Sequence, residues 1–129
     1  MVPKERKYTK THQWICEDDD GLYPVGLTAY AAEQLGEATY VELPELDADV
    51  KKGDELGVVE SADSAIEVLT PVAGRVAEVN DELEGEPEQV TQSPYERGWL
   101  FKLQDVDPLD FSRLMGAKAY ENYVAGLDN

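Results

Sequence analysis

The spacing of hydrophobic and polar residues changes character along this chain, and each change marks an element. Tyr8 to Glu17 contains a strand-like segment, Asp18-Asp19-Asp20-Gly21 makes a glycine-containing turn, and Leu22 to Leu27 returns as a strand. Thr28 is placed to cap a short helix over Ala29 to Leu35, which Gly36 ends. Strand patterns return at Thr39 to Leu43, Glu55 to Glu60, Ala65 to Thr70 and Arg75 to Asn80. Turns fall at Lys51-Lys52-Gly53-Asp54 and Pro71-Val72-Ala73-Gly74. Trp99 to Leu103 alternates, which predicts Trp99, Phe101 and Leu103 on one face. After Asp107-Pro108, a cap followed by proline at the first helical position, the period becomes helical. Phe111, Leu114 and Met115 fall at i, i+3 and i+4, and beyond Gly116 the stripe continues through Tyr120, Tyr123, Val124 and Leu127. The pattern predicts one mainly-β domain over 1–129, a sandwich or barrel. Its β core spans about 8–104, with a short internal helix and a helical C-terminal cap at about 108–127.

Composition narrows the function classes. A chain of 129 residues supports one core, and its 42% hydrophobic and 30% charged content is that of a soluble globular protein. No apolar run approaches membrane-spanning length, and no apolar stretch follows the basic start Met1-Val2-Pro3-Lys4 as a secretory leader would require. The single cysteine, Cys16, permits no internal disulfide and fits a reducing compartment, so a cytoplasmic protein is expected. The net charge of −17, from 28 acidic and 11 basic residues, disfavours nucleic acid and anionic membranes as partners. It serves solubility, or steering toward basic protein surfaces, equally well.

Candidate sites are few. The Asp18-Asp19-Asp20 triplet lacks the longer pattern of a calcium loop, and adjacent carboxylates cannot all face one ion, so it reads as a solvated turn. His12 has no second histidine or thiolate cluster beside it, so a structural role near the strand is expected. Cys16 reads as a small apolar strand residue, with acidic neighbours that oppose a thiolate. Glu60, Asp63 and Glu67 offer a metal or acid–base reading, against which the solvation expected at a hairpin tip argues.

A set of ordered motifs runs through nearly the whole chain. They include Tyr8-Thr9-Lys10-Thr11-His12-Gln13-Trp14, Val25-Gly26-Leu27-Thr28-Ala29-Tyr30-Ala31, Val41-Glu42-Leu43-Pro44-Glu45, Val58-Val59-Glu60-Ser61, Pro71-Val72-Ala73-Gly74, Ser93-Pro94-Tyr95 and Gly98-Trp99-Leu100. In order and spacing they resemble the glycine cleavage system H proteins. The resemblance implies a barrel-sandwich hybrid, a lipoyl-carrier fold without a complete active site of its own. It implies a lysine on an exposed hairpin that carries lipoic acid in amide linkage, and partners among the glycine cleavage enzymes and the enzymes that attach lipoate.

At the implied lysine position this chain has Asp63, a carboxylate on a one-carbon stem that cannot accept an activated lipoyl group as an amine does. Glu60 and Glu67 match the flanking acidic positions, Glu60 being the one implied to aid recognition by attaching enzymes. The family's His-Glu-Trp reads His12-Gln13-Trp14, so a carboxylate implied to lie near the loaded arm is replaced by an uncharged amide. The expectation is a non-lipoylated relative with no cofactor, acting through protein binding. The alternatives are a carrier modified at another lysine (Lys51, Lys52, Lys102 or Lys118) and a metal-binding or enzymatic role for the acidic hairpin.

Overall fold

A computed structural model describes residues 2–127. Two antiparallel sheets enclose the main core, forming the mainly-β barrel-sandwich hybrid. The larger sheet runs β1 (Lys7–Tyr8), β2 (Gln13–Ile15), β3 (Tyr23–Leu27), β9 (Phe101–Gln104), β8 (Gly74–Val79), β5 (Asp49–Val50). The smaller runs β4 (Tyr40–Glu42), β6 (Glu55–Glu60), β7 (Ala65–Leu69). Helix α1 (Ala29–Leu35) links the sheets, α2 (Gln89–Gln92) is a single turn, and α3 (Pro108–Ser112) and α4 (Ala117–Leu127) close the chain.

Local chemistry sets the element boundaries. Thr28 accepts the Ala31 N–H at 3.3 Å and starts α1, while Gly36 ends it at φ 88°, a conformation costly for any other residue. Asp107 accepts the Leu109 N–H at 2.9 Å with Pro108 at the first helical position. Between the sheets, Ile15, Val25 and Leu27 join Val59 and Val68 in the main core. Each such side chain stabilises the fold by about 1.5–3 kcal/mol.

Strand β2 is buried on both faces. Ile15 enters the main core, whereas Trp14 joins Tyr8 and Tyr120 in a second, aromatic cluster covered by α4. Gly26 lies opposite Trp14 in the β2–β3 register, and a Cβ there would come within 2.7 Å of the indole ring. The tryptophan therefore lies flat over the strand only because its neighbour has no side chain.

The structure corrects several expectations. The span Tyr8 to Glu17 holds a turn as well as its strand-like segment: β2 pairs with β1 across a turn in which His12 adopts φ 72°, so His12 lies in that turn. Trp99 does not share the face of Phe101 and Leu103; it precedes β9 and packs in the aromatic cluster, while those two enter the main core. Met115 leaves the expected helical stripe to form an antiparallel bridge with Tyr8, with mutual backbone bonds of 2.8 and 3.2 Å. Leu127, 46% exposed, is outside the buried stripe. Strand β5, helix α2 and the 3-10 turn Asp81–Glu84 lack a periodic signal long enough to foresee.

Candidate functional site

Two regions collect the residues singled out by sequence. The first is the β6–β7 hairpin. Its strands pair Glu60 with Ala65, and Ser61 to Ser64 close the turn. The Ser61 N–H donates to the Ser64 carbonyl at 2.8 Å, and the Ser64 N–H donates to Ser61 Oγ at 3.2 Å. This double tie fixes the turn and leaves Ala62 and Asp63 at its exposed tip. Register and alternation put Tyr40, Glu42, Val58, Glu60, Ala65 and Glu67 on the outer face of the small sheet. Glu60 and Glu67 stand on a diagonal, roughly 7–8 Å apart by sheet geometry. Their carboxylates and that of Asp63 are exposed, and among the described residues no three His, Cys, Asp or Glu are placed to hold a metal ion.

The second region surrounds His12. The Thr28 hydroxyl oxygen accepts the Ala31 N–H and shares a hydrogen bond of 2.7 Å with the Tyr120 hydroxyl, which in turn shares one of 2.8 Å with His12 Nδ1. Burial lowers the His12 pKa, and burial pushes the Tyr120 phenol up to about 12 against the opposing bond to Thr28. His12 packs on Tyr30 at 4.6 Å, and Tyr8 stacks on Tyr120 at 4.9 Å. Tyr30 and Tyr120 also line a groove of about 490 Å³ between α1 and α4, walled by Glu33 and Glu121.

Gln13 is 1% exposed and turns inward on its own hairpin. Its Oε1 accepts the Thr9 hydroxyl at 2.8 Å and also the Thr11 hydroxyl, and its Nε2 donates to the Thr11 carbonyl at 3.0 Å. The amide matches this turn because it both accepts and donates, which a carboxylate cannot do. Its polar atoms are thus fully engaged within the turn.

The structure brings His12 and Gln13 together and groups Glu60, Asp63 and Glu67 separately. The Thr28 N–H donates to the His12 carbonyl at one end of α1, and beyond its other end the Thr39 N–H donates to the Glu60 carbonyl. Seven helical residues, a rise of about 10 Å, stand between the two groups. Sequence reading missed Thr9, Thr11, Thr28 as a relay member and Tyr120. The closely spaced hydroxyls of Thr9 and Thr11 beside His12-Gln13 were the available signal.

The remaining candidates have structural roles. Asp18 accepts the N–H groups of Asp20 and Leu22, each at 2.9 Å, and pairs with Lys102 at 3.0 Å. Partial burial alone would raise its pKa, but the bonds from Lys102 and the backbone hold it below the usual range. Cys16 packs against the aromatic cluster, and burial pushes its thiol up. Lys51 and Lys52 lie before β6, at the end opposite Asp63, and Lys118 lies on α4.

A sandwich hybrid whose smaller sheet ends in one tight, exposed hairpin has the architecture of a carrier-type β domain. The chain belongs to the glycine cleavage H-protein family, whose model matches residues 6–126. It is 47% identical over 124 residues to the glycine cleavage system H protein of Marinobacter nauticus, covering 96% of this chain and 95% of that one. The Laribacter hongkongensis H protein is 45% identical over 123 residues, covering 95% and 97%. The crystal structure of a glycine cleavage system H protein from Mycobacterium marinum superimposes with a TM-score of 0.85 at 32% identity, over 96% of this chain and 99% of that one. Among the described residues no helix is long and apolar enough to cross a membrane.

Proposed function

We propose that this chain is one H-protein-like domain, cytoplasmic and non-lipoylated, that acts by binding proteins and not by carrying an aminomethyl group. The observation that carries this reading is the hairpin tip, where the residue the family resemblance puts at the attachment position is Asp63. Lipoyl attachment transfers an activated acyl group to an amine, and no amine is present there. The residues do not fit lipoate, so no carrier step is derived through it. Gln13 supports the same reading, since its amide is spent on Thr9 and Thr11 and offers no charge to a cationic ligand. The partners proposed are other glycine cleavage components or the enzymes that attach lipoate, to which Glu60, Glu67 and the surrounding acidic face remain presented.

Intact-mass measurement after co-expression with a lipoate ligase and excess lipoate tests the proposal. The expected result is an unmodified chain, with a lipoyl increment appearing in Asp63→Lys. A stoichiometric increment in the wild type would instead favour a carrier modified at another lysine, and peptide mapping would identify it. Lys102 is the least available of these, held by Asp18.

A further inference from the structure

The small sheet ends at β7, and among the described residues no further strand pairs with that edge. Which backbone groups face outward follows from the pairing. The Glu60 carbonyl accepts the Thr39 N–H on the β4 side, so Glu60 and Val58 point their backbone groups toward β4 and Val59 points its own toward β7. Val59 pairs with Ile66, so the N–H and C=O groups of Ala65 and Glu67 point away from β6. No described residue bonds to them, and both residues are exposed. The edge also lacks the usual protections. Ala65-Ile66-Glu67-Val68-Leu69 contains no proline and no lysine, and its pairing is regular from Ala65 to Val68.

Resting on the protein-binding reading above, we infer that β7 is a docking edge for an extended segment of a partner protein, which adds as a further strand and places a lysine or arginine opposite Glu67. Charge decides the occupant. A second copy of this chain pairing through the same edge about its centre would set Glu67 against Glu67, and like charges directly opposite are destabilising. With Glu60 and Asp63 close by and a net charge of −17, only a cationic strand is attracted. Backbone bonds to Ala65 and Glu67 supply affinity in such an addition, and alternate side chains on the outer face supply selectivity.

The test uses the full chain and a capped peptide of alternating valine and lysine, with an alternating valine–glutamate peptide as control, followed by amide NMR and hydrogen exchange. The expected result is saturable shifts confined to β7 and its flanks, with the Glu67 amide exchanging about fivefold more slowly in the valine–lysine complex, and no effect of the control. Glu67→Pro removes the outward N–H together with the carboxylate, at a position where a strand edge tolerates proline, and should abolish binding with the β6–β7 ladder intact. Should Glu67→Pro fail to fold, Glu67→Lys keeps the N–H and should weaken binding of the valine–lysine peptide at least about fivefold, since a lysine then faces a lysine. Absence of saturable shifts, shifts elsewhere than β7, or equal response to both peptides overturns the inference. Lipoylation of the wild type would defeat the non-carrier reading while leaving these peptide results unaffected, so the two failures are distinguishable.

Discussion

Tyr120→Phe removes one oxygen from the centre of the buried network. In the wild type that oxygen bonds Thr28 Oγ1 at 2.7 Å and His12 Nδ1 at 2.8 Å, with Thr28 fully buried and Tyr120 1% exposed. The variant keeps the ring and its stacking on Tyr8, so packing contributes little. What it loses is the hydroxyl partner of Thr28, in a site that water does not reach. An unsatisfied buried donor costs about 1–3 kcal/mol. His12 is only half-buried, so water replaces part of its lost bond, and that side adds about 0.5 kcal/mol. The expected loss is therefore about 2 kcal/mol. For a domain of this size that lowers Tm by roughly 6–10 °C. Urea unfolding followed by far-ultraviolet circular dichroism measures it directly, with m unchanged if two-state behaviour holds. A second variant, Thr28→Val, closes a double-mutant cycle, and the two losses should be less than additive because they share one bond. A loss in Tyr120→Phe below about 0.5 kcal/mol, or full additivity in the cycle, would refute the network as a stabilising unit.

Other outcomes follow from the same geometry. Gly26→Ala forces a methyl group toward the Trp14 indole, where an ideal Cβ meets it at 2.7 Å, and should cost about 1–3 kcal/mol with a shifted tryptophan emission. Gln13→Glu replaces the Nε2 donor to the Thr11 carbonyl with an oxygen. The variant should lose about 1–3 kcal/mol at neutral pH and regain part of it in acid as the buried carboxyl protonates, read by unfolding at both pH values. Because the folded pKa of His12 lies below its ordinary value of 6.5, the unfolded chain takes up its proton first. The His12 contribution is thus present above about pH 6.5 and is lost as pH falls through the lower folded pKa. His12→Asn should flatten that part of the stability profile, and a slope identical to wild type would exclude His12 as its source. Asp18→Asn, which keeps the acceptor for the Asp20 and Leu22 N–H groups and removes only the charge of a part-exposed pair, should cost no more than about 1 kcal/mol in thermal unfolding.

Much of the fold was legible from short-range chemistry. Thr28 with Gly36, and Asp107 with Pro108, announce their helices because capping acts within a few residues. The hairpin tip was legible for the same reason, and Asp63 stands exposed where the pattern expects it. The β1–β2 turn was hidden because His12 takes a left-handed φ that no local signal announces; it is held by Tyr120, 108 residues away. Trp99 breaks the alternation of Phe101 and Leu103 because it follows Gly98, where the chain passes so close to Gln89 and Ser93 that a Cβ would meet their carbonyls at 2.5 and 2.8 Å. The role of Gln13 was legible as a change of charge but not as a satisfied turn amide, since Thr9 and Thr11 become its partners only when the hairpin closes.

The aromatic cluster on the far side of β2 has a mechanical consequence. Tyr8 bridges Met115, the Val2 N–H donates to Glu121 at 3.0 Å, and Tyr120 closes over Trp14, so the early and late segments of the chain are fastened to each other behind the large sheet. The hairpin lies on the other sheet, across the main core. Load applied at either fastened segment is borne by the β1–α4 clasp and reaches the hairpin last. A label or tether fused at either end would hold the molecule from behind, with the acidic hairpin facing outward.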